Sequence, residues 1–113
     1  MHELSIAQNI VEIAEEYAIK NNAEIISEIE IEVGEMSGVV IEALEFAMQS
    51  ATIDTMLSEA KVDIINIKGY AKCLECRNEF SVSSLFDVCP KCNSFHIEII
   101  SGKELRIKSI LVE

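Results

Sequence analysis

Residues 73–92 read CLECRNEFSVSSLFDVCPKC, and this stretch decides how the rest of the chain must be divided. Cys73 and Cys76 form one C-x-x-C pair, Cys89 and Cys92 a second, with twelve residues between them. Soft thiolates at this spacing suit a tetrahedral ion, each pair wrapping one side of it while the intervening segment runs out and returns. The spacing fits a four-cysteine zinc ribbon. A rubredoxin-type iron site uses similar pairs and stays open on spacing alone. A thioredoxin-like redox pair explains one C-x-x-C but not two. About twenty residues cannot bury a core of their own, so the ion takes the place of one. A closed set of four sulfurs leaves no water position, which favours a structural role over a catalytic one.

The flanks of the module read as a separate α+β unit. Upstream, EIEIEV (Glu28 to Val33) alternates strictly, with Ile29, Ile31 and Val33 on one face and Glu28, Glu30 and Glu32 on the other. That is a half-buried strand whose carboxylates form a solvated face. KVDIINIKGY (Lys61 to Tyr70) reads as a second strand and ELRIKSILVE (Glu104 to Glu113) as a third. Ile6, Ile10, Ile13, Ala14 and Tyr17 recur at helical spacing, opposite Glu12, Glu15, Glu16 and Lys20. The S-x-x-Q form of Ser5 to Gln8 puts a helix start there or slightly earlier, and Asn21–Asn22 stops it. After the glycines of GEMSG, a second helix carries Leu44, Ala47, Met48 and Ala51 on one stripe, with Met48 as core filler. The expected fold is two helices packed on a small three-stranded sheet, antiparallel or mixed, with the four-cysteine zinc-ribbon module inserted before the last strand.

Composition narrows the function. The 113 residues hold 9 basic and 20 acidic side chains, a formal charge of -11. Nucleic acid and anionic membrane need clustered Lys and Arg, and within the module Arg77 and Lys91 are outnumbered by Glu75, Glu79 and Asp87. Cations and basic protein surfaces suit the charge better. Phe80 and Phe86 are expected to pad the small core rather than stack on bases. No apolar run spans a membrane and MHE lacks a secretory n-region, so a cytoplasmic protein with reduced cysteines is expected. No nucleophile elbow, phosphate loop or paired acid and base argues for an enzyme.

The opening MHELSIAQNI holds the remaining chemistry. The Met1 amine, the His2 backbone amide and the His2 imidazole close fused five- and six-membered rings on one ion, in a plane. Planar nitrogen coordination points to Ni(II) or Cu(II) rather than Zn(II), and affinity should rise with pH as the amide ionises. Glu3 or a partner's residue can take the fourth position. The chemistry nominates the site without naming the metal.

Taken together, MHELSIAQNI, VGEMSG, EALEFAM, the C-x-x-C and C-P-K-C pairs and GKELRIKSILVE occur in an order and spacing that resemble the HypA/HybF family of hydrogenase nickel-incorporation proteins. The resemblance covers essentially the whole chain. It implies a non-enzymatic nickel metallochaperone that binds Ni2+ through Met1, His2 and Glu3 and structural Zn2+ through Cys73, Cys76, Cys89 and Cys92. It implies delivery to [NiFe]-hydrogenase during maturation, with urease as a further recipient. The implied partners are a HypB-type nickel GTPase and the hydrogenase large subunit or its maturation complex, with the chain itself a monomer or weak homodimer. It also implies two units, a nickel-binding α/β domain of residues 1–69 plus 98–113 and a zinc-binding domain of residues 70–97. Where many members carry an acid in the loop before the second helix this chain has Val40, with Glu42 the next acid, so neither is assigned as a ligand. His96 is read as a surface residue. The rival function is a zinc-ribbon protein-interaction module with no transferable metal.

Overall fold

Strict alternation carries Ile26–Gly34 (β1) into the centre of a sheet. Ile29, Ile31 and Val33 are fully buried, while Glu28, Glu30 and Glu32 keep partial access to solvent. The computed structural model describes residues 2–84 and 86–113. Among these are two helices, Glu3–Lys20 (α1) and Ile41–Ala51 (α2), and six strands: β1, Lys61–Ile67 (β2), Tyr70–Cys73 (β3), Glu79–Ser81 (β4), Ile97–Ser101 (β5) and Leu105–Val112 (β6).

The first sheet has the order β2-β1-β6 and is mixed. β1 and β2 are parallel, with Ile31 opposite Ile64; β1 and β6 are antiparallel, with Ile31 opposite Ile107. Parallel neighbours need a crossover, and α2 supplies it. One core results, in which α1 contributes Ala7, Ile10, Val11, Ala14 and Ala18, and α2 contributes Leu44, Ala47 and Met48. On the opposite face the carboxylate row is tied down by the last strand. Arg106 Nε donates to Glu32 Oε1 at 2.6 Å and Ser109 Oγ donates to Glu30 Oε1 at 2.5 Å.

The buried stripe of α1 differs from the expected one. Ile10 and Ala14 are buried as anticipated, but Ile13 and Tyr17 remain 48% and 46% exposed, and Ala7, Val11 and Ala18 take their place. Both stripes satisfy a 3.6-residue period, so hydrophobicity alone favours the one with larger side chains. Close approach of α1 to both α2 and the sheet selects the alanines instead. Helix α1 starts slightly before Ser5, within the expectation, but its N-cap is His2, so the S-x-x-Q stretch lies inside the helix and is not its capping box. Its end matches the expectation: Asn21 is the C-cap and Asn22 adopts φ 57°.

A second correction concerns KVDIINIKGY. It is not one strand but two, β2 and β3, which belong to different sheets. The second sheet has the order β4-β3-β5, all antiparallel, and a small core of Ala71, Cys73, Phe80, Val82 and Cys89. Phe80 pads that core; Phe86 does not, being 88% exposed.

Candidate metal centres

Each C-x-x-C lies in a turn whose backbone bonds repeat. The Cys73 N–H donates to Asn78 O at 2.8 Å and the Arg77 N–H donates to Cys73 O at 2.9 Å. Sixteen residues later the Cys89 N–H donates to Ser94 O at 3.0 Å and the Asn93 N–H donates to Cys89 O at 2.7 Å. Both turns close through a left-handed residue, Arg77 at φ 64° and Asn93 at φ 60°. The first hangs from the end of β3 and the second precedes β5, β3's neighbour, so the sheet brings the two turns face to face.

The four sulfurs converge. Cys73 Sγ and Cys92 Sγ are 3.5 Å apart, Cys76 Sγ and Cys89 Sγ 3.6 Å, and all four lie within 4.8 Å of one another. A tetrahedron with metal–sulfur bonds of about 2.3 Å has edges of about 3.8 Å, so the donor set fits one Zn2+-sized ion. Cys73 and Cys89 are buried, Cys76 and Cys92 exposed.

Backbone donors aim at the buried sulfurs. The Cys76 N–H donates to Cys73 Sγ and the Lys91 N–H to Cys89 Sγ, both at 3.4 Å, and Asn78 Nδ2 donates to Cys89 Sγ at 3.9 Å. Such donors favour a thiolate over a thiol. The Cys76 N–H, against the opposing effect of burial, lowers Cys73. Burial pushes the Cys89 thiol up, but the Cys92 and Lys91 N–H groups outweigh it and hold Cys89 down to about 6. The Ser94 N–H lowers Cys92, but the neighbouring sulfurs of Cys73, Cys76 and Cys89 outweigh it and push Cys92 up to about 12. The cluster is therefore charged before any ion arrives, and it retains a proton that an ion must displace. Asn78 and the backbone donors escape a search for ligand side chains. Asn93 at a left-handed turn is the one such feature its residue type could announce.

At the other end of the molecule, Met1 lies outside the described residues. His2 is exposed, and its carbonyl accepts the Ile6 N–H at 3.1 Å, the first bond of α1. Helix geometry offers no acceptor to the N–H groups of the first turn, and the His2 amide nitrogen has no acceptor among the described residues. Glu3 Oε2 lies 3.5 Å from the N–H of Val40, the N-cap of α2. The two helix starts are thereby adjacent. Glu42 is exposed in the first turn of α2. His96 is exposed in the second sheet's lobe, with Nδ1 3.0 Å from Glu75 Oε1. Among the described residues no helix is long and apolar enough to cross a membrane.

Known proteins are similar to this chain in sequence and fold over nearly their whole length. A family profile described as "Hydrogenase/urease nickel incorporation, metallochaperone, hypA" matches residues 1–112. The hydrogenase maturation factor HypA of Parabacteroides distasonis is 44% identical over 113 residues, covering 100% of this chain and 98% of the relative. That of Geobacter metallireducens is 40% identical with 100% of both covered. The solution structure of the Ni metallochaperone HypA from Helicobacter pylori superposes with a TM-score of 0.70 at 28% identity, covering 99% of this chain and 97% of that one.

Proposed function

The chain belongs to the HypA family of hydrogenase/urease nickel-incorporation metallochaperones, and from that premise we propose that its own N-terminal segment carries the nickel. The family makes it a hydrogenase maturation factor rather than a catalyst. Ni(II), the cargo, is held by the His2 imidazole and backbone amide, by the amine of Met1 in a preparation that starts there, and by Glu3 or a partner's group in the fourth position. The observation that carries this reading is the state of His2: exposed, at the N-cap, its carbonyl committed to α1 and its amide nitrogen left over. Amine, amide and imidazole form a planar set, which suits Ni(II). An open fourth position lets the ion leave.

Cys73, Cys76, Cys89 and Cys92 hold structural Zn2+ in the same reading. When bound, Zn2+ cross-links the two turns and supplies the cohesion that a five-residue core cannot. Residues 1–69 with 98–113 then form the nickel unit and 70–97 the zinc unit, with β5 running across the boundary. Delivery proceeds in the cytoplasm to the [NiFe]-hydrogenase large subunit or its maturation complex, alongside a HypB-type GTPase, with urease a second recipient. A formal charge of -11 suits basic docking surfaces on such partners.

Calorimetric titration of tag-free, zinc-filled protein with Ni(II) tests the site. Specific binding should be present in the wild type and lost in His2→Ala. It should also be lost when residues are added before Met1, because the amine becomes an amide. Unchanged affinity in either variant overturns the assignment. A weak d–d band of diamagnetic planar nickel should accompany binding.

A further inference from the structure

The hydrogen-bonded sulfurs of the cysteine cluster belong to different turns. Cys73 Sγ meets Cys92 Sγ at 3.5 Å and Cys76 Sγ meets Cys89 Sγ at 3.6 Å. Each contact joins an exposed cysteine to a buried one, Cys92 to Cys73 and Cys76 to Cys89. The two contacts share no atom, so both can close into covalent bonds at once. A disulfide holds its sulfurs about 2.05 Å apart, so each pair must approach by about 1.5 Å. Connectivity favours the same pairs. Cys73 and Cys92 are 19 residues apart and Cys76 and Cys89 are 13 apart, whereas a bridge inside either C-x-x-C closes a far shorter loop. The longer loop removes more entropy from the unfolded chain. Bridges between the turns also fasten one to the other, a task for which the small core of Ala71, Cys73, Phe80, Val82 and Cys89 is insufficient. Bridges within the turns leave them unjoined.

We propose that this cluster is a peroxide-sensitive modification site, oxidised across the turns to Cys76–Cys89 and Cys73–Cys92 disulfides that keep the lobe folded while removing its metal-binding thiolates. The oxidant is hydrogen peroxide, a two-electron oxidant that is small, uncharged and able to reach Cys76 and Cys92 at the surface. The exposed thiolate attacks the O–O bond; a sulfur–oxygen bond forms, hydroxide leaves, and the product is a sulfenic acid. The buried thiolate of the other turn then attacks that sulfur. The S–S bond forms, the S–O bond breaks and a second hydroxide leaves. Each disulfide therefore consumes one peroxide and two thiolates, with both sulfurs oxidised and both peroxide oxygens reduced. Placing a buried partner beside each exposed sulfur has a consequence. The sulfenic acid is resolved at once, before a second peroxide carries it to the irreversible sulfinic acid. Four thiolates become two neutral disulfides, and no charged sulfur remains for a cation.

Loss of the ion rests on the reading that these cysteines hold Zn2+; the pairing of the sulfurs does not. In the test, full-length zinc-loaded protein is treated with hydrogen peroxide, free thiols are alkylated, and trypsin is applied without reduction. Cleavage after Lys72, Arg77, Lys91 and Lys103 puts Cys73 and Cys76 in peptide 73–77, Cys89 in 78–91 and Cys92 in 92–103. Pairing across the turns gives one species that holds all three peptides. Fragmentation between Leu74 and Glu75 should leave 92–103 on Cys73 and 78–91 on Cys76. A self-closed peptide 73–77, with 78–91 joined to 92–103, means pairing within the turns and overturns the proposal. Sulfinic or sulfonic acid without disulfide overturns it as well. Zinc captured by a chromophoric chelator should rise in step with the disulfides, and a dithiol reductant should restore uptake. By hydrogen exchange, the oxidised protein should keep protection in β3 and β5 that reduced, zinc-stripped protein loses; equal loss in both contradicts the fastening of the turns. A preparation that holds no zinc before oxidation and still forms the cross-turn disulfides supports the pairing and overturns the zinc reading instead.

Discussion

Arg77 and Asn93 occupy the same place in two turns of like geometry, but only one has a side chain suited to it. Left-handed backbone costs an ordinary L-residue roughly 1–2 kcal/mol, and Asn relieves part of that by local hydrogen bonding. Arg77→Asn should therefore stabilise the metal-loaded protein, by up to about 1 kcal/mol, read as a higher midpoint in thermal or denaturant unfolding. The thiols make a second prediction. With Cys89 held down to about 6 and Cys92 pushed up to about 12, uptake of an ion by four thiolates near neutral pH must displace the Cys92 proton. Below about 6 the Cys89 thiolate also takes up a proton. Both effects have one sign: apparent Zn(II) affinity rises with pH and falls faster once pH drops through about 6. Competition with a chromophoric chelator across that range checks it, and a pH-independent affinity would contradict it. The four cysteines as a candidate metal-binding set were legible in the sequence, because two C-x-x-C pairs at ribbon spacing admit few other uses. The N–H groups that charge them were not, since any residue type can supply a backbone donor.

At the scale of elements, the strand β1 could be read from its alternation and α2 from its stripe, and both stand as expected in the structure. Helix α1 shows where periodicity stops being sufficient. Two stripes overlap at Ile10 and Ala14, and the choice between Ile13–Tyr17 and Ala7–Ala18 depends on how near the neighbours come. Substitution separates them. Ala14→Leu forces bulk into a fully buried position and should cost about 1–3 kcal/mol of stability. Ile13→Lys, at a half-exposed position, should cost well under that, within about 1 kcal/mol by the usual range for surface changes. Urea unfolding of the two variants decides the order, and a larger loss at Ile13 would mean the helix is rotated. The β2–β3 break was missed for a related reason. Lys68–Gly69 is a local hint of a break, but it does not say that the chain changes sheets there.

For the whole molecule, two cores of unequal size meet at a junction where Gly34, Gly69 and Gly102 pack together. The larger has thirteen buried residues, twelve from α1, β1 and α2 and Leu57 from the turn before β2; the smaller has five, two of them cysteines. Chelation of the four-cysteine ion should accordingly release amide protection across residues 70–101 while the β2-β1-β6 sheet stays protected, which hydrogen exchange reads directly. Simultaneous loss of protection in both sheets would show that the junction makes the lobes one cooperative unit. Residue type and spacing along the chain were enough to bring out the four cysteines as a candidate metal-binding set, the two helices, the three strands of the larger sheet, the acidic character and the family. These are properties of single residues and local periods. The break at Gly69 and the short strands β4 and β5 were not legible there. Which face of α1 is buried, how Phe86 is left outside, and why Gly34, Gly69 and Gly102 leave no room for a Cβ were decided only in three dimensions. Each of those depends on distances between segments remote in sequence, and close packing, unlike periodicity, has no local record.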